Sequence, residues 1–242
     1  MIMTRTYLKR VLLLVLICSS ILQGQELVRV DFRILSLGAP LEELALVGSN
    51  GMVDVEVPSF NRSDVITYKG DARLRFIRKS EYTPDEPLPK SLFEVDLSDN
   101  LKNPLIVVAS AVKGHGFPYQ AMVLPDNLKD LPGGSSYFIN ASPYPIAILF
   151  DQNKEPVKLK PRGAVKRTFE EGSHNIRVRI ASYAEGEVRK GLDSRVYPLP
   201  IHRDIYFIYA HQGGGAGRLM IRRLREHQSS AEHNFRQAAE EE

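Results

Sequence analysis

The chain has 242 residues, 8% of them aromatic and 25% charged, with one Cys and no Trp. These values exclude a collagen-like or low-complexity chain, wholesale disorder and a disulfide framework. The formal net charge of +3 invites a nucleic-acid reading only until the charges are located.

Residues 1–24 read as a secretory signal peptide. Arg5, Lys9 and Arg10 form the positive end, and Val11 to Ile17 is an unbroken apolar run that continues through Ile21 and Leu22. At about a dozen residues it is short of the roughly 20 a membrane span needs. Cleavage is placed after Gly24. An uncleaved anchor and a lipoprotein are the alternatives, and Ile17 before Cys18 is too large for a lipidation site. Removing the leader's three cations leaves 29 Lys+Arg against 29 Asp+Glu. The basicity belongs to the leader, so nucleic acid is not an expected partner. Cys18 leaves with the leader, so the exported chain must hold itself together without disulfides.

Residues 25–130 and 131–225 read as two copies of one unit. Leu44 to Arg78 and Ile146 to Ile180 each contain an apolar strand, a polar turn (Ser49-Asn50-Gly51; Gln152-Asn153-Lys154) and a second strand ending at Pro58 or Pro161. Each then passes an aromatic and a Gly and closes on an alternating basic strand, Arg73-Leu74-Arg75-Phe76 or Arg177-Val178-Arg179-Ile180. Leu105 to Val108 aligns with Ile205 to Ile208, and Gln120 to Val123 with Arg218 to Ile221. The period-2 alternation predicts strands with one wet and one buried face. Turns of Asn, Gly, Pro and Asp recur every 8–12 residues, and no amphipathic helix interrupts residues 26–222. The expected fold is all-β: two tandem immunoglobulin-like antiparallel β-sandwiches of about seven strands each, joined near Pro125–Gly134. Residues 226–242 form a charged tail, expected to be helical or disordered.

Gly133-Gly134-Ser135-Ser136-Tyr137-Phe138-Ile139-Asn140-Ala141-Ser142-Pro143 resembles the opening of a repeat found in exported bacterial proteins, a family known only as a domain of unknown function. Ile148 to Asp151, Gly172 and Asn175 to Val178 fit later positions of that repeat, over about 50 residues of the second unit. Leu35-Ser36-Leu37-Gly38 departs from the Asn-Ala-Ser-Pro opening in the first unit. The resemblance implies a β-sandwich outside the cytoplasm and carries no activity with it.

No catalytic signature is present. Gln212-Gly213-Gly214-Gly215-Ala216-Gly217 lacks the Gly-Lys-Ser/Thr of a phosphate loop and runs into a strand. There is no serine elbow, and Glu42-Glu43, Asp85-Glu86 and Glu170-Glu171 read as solvated turn charges. The six His residues show neither helical i, i+4 spacing nor Cys partners, so no metal or cofactor is expected. Speculative binding residues are His115, Phe117 and Tyr119 in one glycine-containing loop and His211 at the matching place in the second unit. Tyr119, Tyr144, Tyr206 and Tyr209 could stack on sugars. The resulting expectation is a non-enzymatic exported protein, periplasmic or at the cell surface, that binds or scaffolds an envelope protein or glycan. The alternative is a carbohydrate-binding module or an accessory subunit of an envelope hydrolase. No integral membrane span is expected in the mature chain.

Overall fold

The computed structural model describes residues 27–97, 101, 103–111, 114–151, 155–169, 175–210 and 217–230. The expected leader, the Gln152–Lys154 turn, His211 with its glycine loop, and the tail beyond residue 230 lie outside them.

Among the described residues, sixteen strands form two sandwiches. The first unit contains β1 (Leu27–Ser36), β2 (Leu41–Gly48), β3 (Gly51–Val57), β4 (Ile66–Asp71), β5 (Arg73–Arg78), β6 (Phe93–Asp96), β7 (Pro104–Ser110) and β8 (Tyr119–Pro125). The second contains β9 (Ser135–Asn140), β10 (Ile146–Phe150), β11 (Val157–Leu159), β12 (Ala164–Thr168), β13 (Ile176–Ala184), β14 (Glu187–Val196), β15 (His202–Ala210) and β16 (Leu219–His227). The first pairs sheet β4-β1-β7-β8 with β3-β2-β5-β6, and the second pairs β12-β9-β15-β16 with β11-β10-β13-β14. Shifting each number by eight turns one unit into the other.

Three details differ from the sequence expectation. Each unit has eight strands rather than about seven. Each contains one parallel pair, β1 with β7 and β9 with β15. No crossover helix is required, because the intervening chain builds the opposite sheet. Finally, β16 runs through His227, so Glu226 belongs to the second sandwich and not to the tail.

Alternation places the side chains. Strand β13 buries every other residue along Ile176 to Ala184, with Arg177 and Arg179 outside. Such a strand is covered on one face only. Strands β7 and β15 are different: Leu105 to Val108 and Ile205 to Ile208 are buried without a break, as strands covered on both faces are. One face of each enters its own sandwich core. There Phe76 stacks on Phe93 at 4.2 Å in the first unit, and Phe138 on Tyr206 at 4.8 Å in the second. The other faces meet between the sandwiches, where Leu35, Leu105, Val107 and Leu124 pack with Ile139, Ile205, Phe207 and Leu224. The molecule is therefore four sheets deep, with three apolar layers.

The Asn-Ala-Ser-Pro motif is a structural tie. Asn140 is fully buried at the end of β9. Its amide donates to the carbonyls of Tyr144 (2.8 Å), Leu159 (3.3 Å) and Lys160 (3.0 Å). Its Oδ1 accepts from the backbone N–H (3.1 Å) and hydroxyl (2.7 Å) of Ser142. One side chain thus ties together the turn after β9 and the end of β11. In the first unit Ser36 ends β1 in the same place and does less, accepting from the Gly38 N–H at 3.0 Å. Replacing Asn140 with Ala should remove its bonds to the Tyr144, Leu159 and Lys160 carbonyls and to Ser142 and cost about 2–4 kcal/mol. Urea unfolding of Asn140→Ala measures this, and an unchanged midpoint would show that the motif does not hold the sandwich.

Candidate functional site

Two features occupy opposite ends of the contact between the sandwiches. The first is a buried ion cluster. Arg33 projects from β1 toward the partner sheet because its neighbours Phe32 and Ile34 fill the first core. Arg203 projects the same way from β15, next to Asp204. Asp126 immediately follows β8, and Glu226 lies at the corresponding place on β16. Arg33 Nη2 donates to Asp126 Oδ2 and Arg33 Nη1 to Glu226 Oε1, both at 2.6 Å. Arg62, from the β3–β4 connection, forks onto Asp126 at 2.9 and 2.8 Å. Arg203 donates to the Asp126 carbonyl at 2.5 Å and through Nε to Glu226 Oε2 at 2.8 Å. Its Nη2 also meets Glu226 Oε2. The side chains of Arg203 and Asp126 are fully shielded from solvent.

Burial alone would raise the Asp126 carboxyl, but the Arg62, Arg203 and Arg33 charges and the Arg62 hydrogen bonds hold it below the usual carboxylate range. Glu226 is likewise held low against its burial, by Arg62, Arg33 and Arg203. Burial presses the Arg203 guanidinium downward, opposed by Asp126 and Glu226. These side chains are engaged chiefly with one another. Their chemistry is cohesion between the sandwiches, not proton transfer. A second pair stands nearby: half-buried Arg225 forks onto buried Asp204 at 2.8 and 2.7 Å. Burial and the Asp204 charge push the Tyr206 hydroxyl up to about 12.

The second feature is a cleft of about 470 Å³ at the far end of the shared layer, where β7 and β8 turn. Leu37, Val107, Met122 and Tyr209 give it an apolar floor, and Ser110, Gln120 and Arg162 supply polar groups. Arg162 sits in the left-handed region at φ 65° and crosses between sandwiches to donate to the Ala121 carbonyl at 2.5 Å. An apolar pocket with few polar groups at a domain boundary is the usual form of a ligand site.

The expected site residues divide. His115 is exposed, with its Nδ1 3.3 Å from the Phe117 N–H, which donates to it. Its ring tilts against Phe117 at 6.0 Å. Tyr119 turns inward, edge-on to Phe93 at 6.4 Å, and packs against the first core. Tyr206 is buried in the second core, and Tyr209 packs on Phe60 at 5.7 Å. Tyr119 and Tyr206 offer no free stacking platform, whereas Tyr209 packs on Phe60 and also lines the cleft floor. Ser135 and Ser136 are buried in β9 rather than lying in an open linker. Sequence reasoning missed the whole ion cluster. The available signal was charge inside apolar runs, Arg33 in Phe32 to Leu35 and Arg203-Asp204 ahead of Ile205 to Ile208. Comparison with protein-family models gave no match, and no curated protein matched the chain.

Removing one partner from a buried ion cluster leaves the others unpaid by any solvent contact, typically about 3–5 kcal/mol. Asp126→Asn should therefore destabilise the chain by about that much near neutral pH. The sign with pH follows from the depressed carboxyls. Their contribution is present above the unfolded carboxylate range near ~4 and is lost as pH falls through the folded values. The gap in unfolding free energy between wild type and Asp126→Asn should shrink in acid. Urea titrations at several pH values measure it, and a gap independent of pH would contradict the assignment.

Proposed function

We propose that this chain is an exported bacterial protein of the cell envelope that binds or scaffolds a partner without catalysing a reaction. The observation that carries the reading is the inter-sandwich cleft on a body whose halves share an apolar layer and a buried ion cluster. The ion cluster and the shared apolar layer fix the two sandwiches at one end. The ends of β7, β8 and β15, at Ser110, Gln120 and Ala210, sit at the other, lining the cleft. Loops and clefts on a fixed scaffold bind with little ordering cost. The composition of the leader and the resemblance of Gly133 to Pro143 to an exported repeat support the location. An envelope protein or a glycan would enter between the sandwiches and meet Gln120 and Arg162 at the rim. A protein segment suits the mostly apolar floor better than a sugar does, because Tyr119 and Tyr206 are committed to the cores.

A photo-reactive amino acid at Gln120, in cells of the native host, should give one or a few specific adducts. The same group at Arg177, exposed on the outer face of β13, should give none of them. Identical adduct patterns from both positions, or none from Gln120, would remove the cleft from the account.

A further inference from the structure

The register of the last hairpin places His202 directly opposite His227. Their ring centres are 5.1 Å apart and their planes cross at 84°. The sequence separates them by 25 positions, so no local spacing announces the pair. Both backbones are pinned around it. The Gly134 N–H donates to the His202 carbonyl at 2.8 Å, and the Gln228 N–H to the Ile201 carbonyl at 3.0 Å. Gly133 permits this, since a Cβ there would lie 2.4 Å from the Pro200 carbonyl and from Gln228 Oε1. The Gly133-Gly134 pair therefore holds the two histidines at the junction of β9, β15 and β16.

We propose that His202 and His227 form a cross-strand chelate for a borderline-soft divalent metal ion, Zn²⁺ or Cu²⁺, with water completing the coordination. Two imidazole nitrogens at about 2.1 Å from a tetrahedral zinc place their ring centres about 5.2 Å apart. The observed 5.1 Å separation matches that distance. His202 Nδ1 is buried without a hydrogen-bond partner, which leaves Nε2 as the nitrogen for an ion that carries water. His227 Nδ1 lies 2.7 Å from Ser229 Oγ. With Nε2 on the metal, its Nδ1–H would donate to that hydroxyl instead of accepting from the Ser229 N–H, which fixes the tautomer as ligating histidines require.

The surrounding charge sets the selectivity. The groups acting on His202 are Arg225, His227 and Arg223, which oppose a cation, and Asp204, which favours one. Asp204 is already engaged by Arg225. Among the described residues no group of three or more His, Cys, Asp or Glu side chains converges. The site therefore offers nitrogen donors, with the Asp204 carboxylate already paired to Arg225. It suits Zn²⁺ and Cu²⁺ and gives Mg²⁺ or Ca²⁺, which want oxygen ligands, nothing to hold. Burial and the Arg225 charge keep the His202 ring easily deprotonated, and only the neutral ring ligates.

Calorimetric titration of the full chain with Zn²⁺ and Cu²⁺ at neutral pH tests this. One saturable site is expected, with no heat from Mg²⁺ or Ca²⁺. His202→Gln and His227→Gln, which keep side-chain bulk, should each weaken binding more than about tenfold, while His115→Gln should not. Circular dichroism of each variant separates a lost ligand from a lost fold, and the Cu²⁺ spin-resonance spectrum should show two nitrogen donors in wild type and one in either variant. Absence of uptake, or uptake and spectra unchanged in both variants, would overturn the proposal.

Discussion

Arg33, Arg62 and Arg203 close around Asp126 and Glu226 where the two sandwiches meet, and the rest of the architecture depends on that contact. Three guanidiniums and two carboxylates withdrawn from water are costly to bring together, and they are tolerable only because nearly every donor finds an oxygen. A sliding or rotated arrangement of the sheets would strand charge. The apolar layer beside the cluster is permissive about angle, because hydrophobic contact has no direction. The ions supply the direction. Arg33 and Arg62 come from the first unit, Arg203 and Glu226 from the second, and Asp126 from the junction, so the cluster cannot form within one sandwich.

The two units share a strand order but not their contributions to this contact. Leu105 opposite Leu124 corresponds to Ile205 opposite Leu224. The next residues along β8 and β16 are then Pro125 and Arg225, followed by Asp126 and Glu226. The two carboxylates stand at equivalent places, whereas the arginines do not: Arg203 corresponds to Asn103, and Arg33 to Tyr137. A pair of like units had to become unlike to dock, since two equivalent acidic rims facing each other would repel. The alignment of Gln120 to Val123 with Arg218 to Ile221 is off by two positions in the structure. Ala121 opposes Val108 as Ile221 opposes Ile208. A slip of two keeps every side chain on its face, so the sequence pattern could not detect it.

What the sequence made legible was set by periodicity. Alternation in Arg73 to Phe76 and Asn175 to Ile180 identified the outer strands, and the turn residues divided them. The unbroken apolar runs Leu105 to Val108 and Ile205 to Ile208 carried further information, that these strands are covered on both faces and that the sandwiches must stack. Read that way, Arg33 and Arg203 become charges inside a doubly covered sheet, which demands partners. The carboxylates were hidden for a different reason. Asp126 lies in a segment that resembles a linker, and Glu226 begins an acidic stretch that resembles a solvated tail. The histidine pair was hidden by register, which only the folded hairpin defines. His115 and Tyr119 share a loop in sequence yet separate in space, because Tyr119 opens β8 and turns inward.

The central claim is that charge and apolar burial between the sandwiches make them one cooperative body. Scanning calorimetry of the full chain tests this most directly. The account predicts a single transition whose calorimetric and van't Hoff enthalpies agree. Two resolved transitions, one for each sandwich, would contradict it.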